Sequence, residues 1–228
     1  MPHLSLETIA ERLAEQLRCE QEGLCRPIIQ QVTRGKSVTP ATLRASLRVS
    51  QDELERRMAT LLPEVEFDPA GNIVGLGVTL VPTPHRFQVG GKLLYTWCAF
   101  DTVLFPPSLP VEAQVQSTCP VSGQPVTFVA TPEGAILDLL PASSVMSLIV
   151  PTSRNDCTRA TFCQQSLFFQ SEQAASTFLA AHPEVILLSV EEAACVGRLV
   201  AQSCAPGVRR ATGVSTDRET SPDPHRYA

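Results

Sequence analysis

Apolar residues recur every four positions near the start of the chain. Ile9, Leu13 and Leu17 would stack along one face of a helix, because positions four apart on a 3.6-residue turn share a side. The helical pattern continues in shorter pieces. Pro27 can open a helix through PIIQQVTR that Gly35 closes, and Thr39 followed by Pro40 reads as an N-cap and first-turn proline ahead of ATLRASL. Ser50 and Glu53 form a capping-box signature before LERRMATLL. These last two helices, joined by RVS, have the spacing of a helix-turn-helix. VEFDPAGNIVGLGVTLV follows, a hairpin pattern with its turn at Asp68 to Asn72 that would supply a wing. The pattern predicts a winged-helix-like, helical N-terminal domain over residues 1–80.

Farther on the period shortens. EAQVQSTC, PVTFVAT and SVMSLIV read as short strands punctuated by proline and glycine. TFCQQSLFFQ is expected as a strand, EQAASTFLAAH as a helix and EVILLSV as a strand. A capping box at Ser189 and Glu192 then opens a helix through EEAACVGRLVAQSC. Hairpin-length connections favour antiparallel pairing. The expected class is α+β, with a mixed, mainly antiparallel β-rich domain and flanking helices over residues 81–205. Residues 206–228 are polar and aperiodic, and are expected to be a disordered tail.

Composition narrows the function classes. The 228 residues are 43% hydrophobic and 18% charged, with a formal net charge of −5, which suits a soluble globular protein. No apolar run reaches the roughly 18 residues needed to span a membrane. The N-terminus MPHLSLETIAERLAEQL mixes charge and apolar residues from the outset, unlike a signal peptide. A cytoplasmic location is expected. The acidic balance argues against nucleic acid as a partner. So does QDELE at the start of the would-be recognition helix, where Arg56 and Arg57 only balance the acids.

Eight cysteines stand at positions 19, 25, 98, 119, 157, 163, 195 and 204. In a reducing compartment most should be free thiols. None forms a CxxC pair, and the scattered histidines complete no zinc pattern or Cys–His nucleophile pair. One stretch stands out: LLYTWCAFDTVLFPP, residues 93–107, sets a thiol and a carboxylate among apolar neighbours. Between residues 91 and 150 the only basic residue is Lys92, against Asp101, Glu112, Glu133 and Asp138. On a helix Cys98 and Asp101, at i and i+3, project from one face with Cβ atoms about 5–6 Å apart. Burial would raise the carboxyl pKa and suit it to donate a proton near neutral pH. Alternatively, Asp101 caps a helical turn beside a buried cysteine.

LLYTWCAFDTVLFP resembles the signature of the organomercurial lyases (alkylmercury lyases), which cleave carbon–mercury bonds. The resemblance extends through VQSTCPVSGQPV, FCQQSLFFQS and HPEVILLSVEEA, and covers residues 5–200. It implies that residues 81–205 are a catalytic domain. It places the family's catalytic thiols on Cys98 and Cys163, its acid on Asp101 and a structural cysteine on Cys119. Cys157, six residues before Cys163, has no counterpart. Where some relatives carry a second cysteine after the one matched by Cys163, Gln164 stands here.

The implied chemistry suits the residues, since mercury(II) is soft and thiolates are soft ligands. Cys98 would capture the organomercurial with Asp101 helping to remove its proton. Cys163 would add as second thiolate, and Asp101 would protonate the carbon. Cys98, Cys163 and Asp101 would hold the mercury, which is substrate and product rather than cofactor, while Trp97 and Phe100 would shape an apolar pocket. The resemblance further implies no prosthetic group, a need for exogenous small thiols in turnover, and a mercuric reductase as acceptor of Hg(II). The chain is expected to be a monomer or weak homodimer. A winged-helix, thiol-based metal sensor that binds DNA is the alternative reading.

Overall fold

A computed structural model describes residues 4–17, 23–61, 64–151 and 158–204. The expected tail and two of the cysteines, Cys19 and Cys157, lie outside the described residues. Among the described cysteines, Cys98, Cys119, Cys163 and Cys195 are free thiols, and Cys204 is disulfide-bonded.

Four helices come first: α1 (Leu6–Leu17), α2 (Cys25–Thr33), α3 (Pro40–Leu47) and α4 (Gln51–Leu61). Their starts follow local chemistry. Thr39 accepts a hydrogen bond from Thr42 N–H at 3.0 Å, as an N-cap does. At α4 the Ser50 hydroxyl accepts from Glu53 N–H at 3.3 Å. The Glu53 carboxylate, however, turns to Arg56 and Arg57 at 2.8 Å each rather than completing the box.

An eight-stranded antiparallel sheet follows. Its strands are β1 (Glu66–Phe67), β2 (Ile73–Leu76), β3 (Val78–Thr79), β4 (His85–Val89), β5 (Lys92–Thr96), β6 (Ala113–Thr118), β7 (Pro125–Ala130) and β8 (Ile136–Leu140), in the order β1-β2-β3-β5-β4-β6-β7-β8. A second, three-stranded sheet has the order β10-β9-β11, with β9 at Val145–Ile149, β10 at Phe168–Phe169 and β11 at Val185–Ser189. Each pairing within both sheets is antiparallel, so the mixed helix and antiparallel-sheet class holds. The hairpin turn falls as expected: Asp68 N–H donates to Asn72 O at 2.9 Å. Its strands belong to the same sheet as β4–β8, and α1 packs on the last helix, α8 (Val190–Ser203).

The stretch TFCQQSLFFQ differs from its expected single strand. It contains the end of a short helix, α6 (Thr158–Thr161), a 3-10 turn at Cys163–Gln165, and only then the two-residue β10. Ser147 accounts for the turn: its hydroxyl donates to Gln165 O at 2.7 Å and accepts from Leu167 N–H at 3.0 Å. That bends the chain before the Phe-Phe pair can join β9. Beyond it, α7 (Glu172–Ala181) is capped by Ser171. The Ser189/Glu192 capping box at α8 is complete.

The central element is α5 (Ala99–Ser108), with Ala99 to Pro106 all buried. A helix apolar around its whole circumference must be covered on every side. Here α8 covers one side, and strands of both sheets the others. Gly197 sets the distance between α5 and α8, since a Cβ there would lie 2.7 Å from Val103 O. Backbone cannot swing away as a side chain can. Gly197→Ala is therefore expected to lose about 1–3 kcal/mol, the usual cost of overpacking. Urea denaturation checks this; a midpoint at or above that of the wild type would contradict it.

Candidate active site

The site begins where β5 runs into α5. Trp97 N–H donates to Gly77 O at 2.9 Å, and the Thr96 hydroxyl donates to Cys98 O at 3.0 Å. These bonds hold Cys98 extended (φ −148°, ψ 174°) as the N-cap of α5. Asp101 then falls in the first helical turn, so its carboxyl returns to the side that carries the thiol. Gly77 leaves room for this turn: a Cβ there would sit 2.4 Å from the Phe105 ring and 3.6 Å from Asp101 Oδ1. Its φ of +74° also favours glycine.

Cys163 arrives from the 3-10 turn, 65 positions after Cys98 in number. The ligand atoms of Cys98, Asp101 and Cys163 all lie within 4.8 Å of one another. All three are buried, with exposures of 0%, 7% and 9%. Phe100 is also buried and meets Phe162 edge-on at 5.7 Å, so it builds the wall behind the thiols.

Burial governs the electrostatics. It raises the Asp101 carboxyl to about 6, against opposing hydrogen bonding from the Cys98 thiol and the more distant charge of Arg159. Asp101 Oδ2 is buried with no hydrogen-bond partner. Such an atom is costly as a carboxylate oxygen and is relieved by a proton or a ligand. Burial also pushes the Cys98 thiol well above its ordinary range, assisted by its hydrogen bond with Cys163 and the proximity of Asp101. The resting site therefore holds Cys98 as a neutral thiol beside a carboxyl that gains and loses a proton near neutrality.

A polar clamp, which sequence reading missed, flanks this buried site. Glu66 accepts from the Trp97 indole N–H at 3.0 Å and from the Thr79 hydroxyl at 2.7 Å. Arg159 approaches Glu66 at 3.4 Å and lies 4.5 Å over the Trp97 ring. Trp97 is thus held at its edge and across its face. Cys119 lies apart, in a small cluster with Val145, Phe169 and Ala175. His85 is buried, its Nδ1 2.9 Å from Ser117 Oγ; burial lowers it to about 4, so it stays neutral at pH 7.

Comparison with known proteins agrees with the residues assembled here. The family model described as alkylmercury lyase matches residues 78–202. An alkylmercury lyase of Bacillus cereus is 36% identical over 200 residues, covering 86% of this chain and 90% of that protein. This chain belongs to the alkylmercury lyase family. A lyase of Pseudomonas putida is 38% identical over 188 residues, covering 81% of this chain and 86% of its own length. The crystal structure of the mercury-bound form of MerB2 shares the fold, with a TM-score of 0.74 at 23% identity over 88% of this chain and 98% of that one. Among the described residues, no helix is long and apolar enough to cross a membrane.

In this alkylmercury lyase chain the raised Asp101 pKa links pH to stability. The native state holds the Asp101 proton more tightly than the unfolded chain, whose carboxyl titrates near 3.8. The stabilisation is complete below that value and is lost as pH rises towards about 6. Asp101→Asn cannot ionise, so its stability relative to the wild type should rise by on the order of 2–3 kcal/mol between acid pH and pH above this window. Glu66 and Asp68, whose pKa values are lowered, titrate in the opposite sense. The difference between variant and wild type is thus the quantity to measure. Urea midpoints at acid and neutral pH provide it, and a pH-independent difference would contradict the assignment.

Proposed function

We propose that this chain is an organomercurial lyase that releases a hydrocarbon and Hg(II) from alkyl- and arylmercury compounds. Cys98, Asp101 and Cys163 carry the reaction. The observation supporting this reading most strongly is the convergence of two buried thiols and a partnerless carboxyl oxygen within 4.8 Å of one another.

The chemistry balances without any redox change. A substrate R–Hg–SR′ arrives bound to a small thiol, and Cys98 displaces that thiol, its own proton leaving with R′SH. Cys163 then adds to the metal and gives its proton to Asp101. The second thiolate raises electron density on the mercury and weakens the Hg–C bond. Asp101 passes the proton to the carbon as that bond breaks, so the bonding pair leaves as R–H and mercury remains between two sulfurs. Two thiol protons enter, one leaving on R′SH and one on R–H, and Asp101 ends as it began. Burial supports both halves, since a carboxyl titrating near 6 neither holds nor releases its proton at great cost near neutral pH.

Small thiols then remove Hg(II), and a mercuric reductase is the proposed acceptor; no prosthetic group takes part. The order α3, α4 and the β1–β2 hairpin supports a winged-helix-like N-terminal unit, with a structural role rather than a DNA-binding one. The decisive assay follows benzene released from phenylmercury in excess small thiol. Stoichiometric mercury binding without benzene would favour the sensor reading instead.

A further inference from the structure

The N-terminus of α5 is capped by the wrong residue, and this bears on how the two thiols are placed. Cys98 occupies the N-cap position but makes no capping hydrogen bond with its side chain. An N-cap side chain ordinarily accepts from the first-turn N–H groups. Those groups are satisfied from elsewhere. Phe100 N–H donates to the Ser166 hydroxyl at 2.9 Å, and Ala99 N–H donates to Ser166 O at 3.1 Å. Ser166 has no exposed surface. Its own N–H donates to Cys163 O at 3.3 Å, closing the turn that carries the second thiol.

We propose that Ser166 is a positioning residue for both thiols: it caps α5 in place of Cys98 and locks the Cys163 turn in register with that helix. The proposal rests on the lyase reading. Two consequences follow from the bonding. Ser166 takes the Phe100 N–H, and the Cys98 sulfur is left facing Asp101 and Cys163. The path from Cys163 to the helix also runs through only two backbone hydrogen bonds, Cys163 O to Ser166 N–H and Ser166 O to Ala99 N–H. Ser147 steadies the far side, its N–H donating to Leu167 O at 2.9 Å while its hydroxyl holds Gln165 O. The hydroxyl of Ser166 ties the junction to α5 by a side-chain hydrogen bond, beside the Phe162–Phe100 ring contact.

A misplacement of about 1 Å in a reacting group can cost on the order of a hundredfold in rate. Loss of the hydroxyl should therefore affect the step that needs both thiols and spare the step that needs only Cys98. The test uses full-length wild type, Ser166→Ala and Ser166→Thr with phenylmercury and excess thiol. Capture is followed by loss of titratable thiol, and benzene release in a single turnover. Ser166→Ala should capture at the wild-type rate but release benzene roughly ten- to a hundredfold more slowly. With one equivalent of Hg(II), fewer of its protein thiols should be protected than in the wild type. Ser166→Thr, which keeps the hydroxyl, should recover release.

Wild-type capture and release in Ser166→Ala, equal slowing of both steps, or a Ser166→Thr as slow as Ser166→Ala would each overturn the proposal. Amide hydrogen exchange on the wild type gives a measure that needs no variant. Ala99 and Phe100 should be strongly protected, and exchange at the rate of open amides would also overturn it. Wild type that releases no benzene would bring down the lyase reading itself, whereas normal wild-type release with an unaffected Ser166→Ala removes only this inference.

Discussion

Asp101→Asn is expected to capture an organomercurial and then stall with the carbon–mercury bond intact. Capture needs the thiols alone, whereas protonolysis needs an acid placed at the carbon. General acid catalysis contributes on the order of 10²–10⁴-fold, so single-turnover release of hydrocarbon should fall by about that factor while thiol loss on binding is preserved. Asp101→Glu should retain part of the activity if its longer carboxyl reaches the same atom. The competing role, a carboxylate in the first turn of α5, is worth about 1 kcal/mol to a helix and predicts a nearly normal Asn variant. Benzene release from Asp101→Asn at close to the wild-type rate would therefore defeat the catalytic assignment. The carboxyl accepts from the Cys98 and Trp97 backbone while Oδ2 has no partner, so the two roles are separated by the variant's rate and not by the resting geometry.

Cys98→Ser and Cys163→Ser should each abolish hydrocarbon release, but at different points. Cys98→Ser removes the capturing sulfur, so binding of the organomercurial should fall with it. Cys163→Ser should still bind through Cys98 and fail at the second ligation, because a hydroxyl is a hard ligand and a poor substitute for a thiolate at a soft metal. Cys19→Ser and Cys157→Ser should keep most of the activity. A dead Cys157→Ser beside an active Cys163→Ser would show that the second thiol has been assigned to the wrong cysteine. A crystal soaked with mercury should place the metal between Cys98 and Cys163.

Local features were readable from the chain and distant ones were not. The caps at Thr39 and Ser189 depend on residues within one helical turn, and both stand where the sequence signals put them. The β4–β5 hairpin has an equally local signature, since His85 to Gln88 alternate buried and exposed before the Gly90-Gly91 pair. The choice of Cys163 over Cys157 came from family resemblance; nothing in the spacing distinguishes them. Glu66, Arg159 and Ser166 gave no signal because their partners are remote in sequence: Glu66 meets Trp97 across 31 residues and Arg159 across 93, and Ser166 meets Phe100 across 66. The turn at Cys163 departs from the expected strand for the same reason. Its apolar residues look like a strand until Ser147, from another strand, bends them.

The depth at which the three reactive groups are buried governs how mercury must travel. A hydrated dication would have to shed its water to reach Cys98, at a penalty of tens of kcal/mol for an unpaired ion in an apolar medium. Mercury should therefore enter as an uncharged organomercury thiolate and leave as an uncharged dithiolate. Each transfer is then an exchange in which the incoming sulfur bonds before the outgoing one lets go. Custody of the metal passes from hand to hand, and at no stage of these exchanges is the naked ion set free.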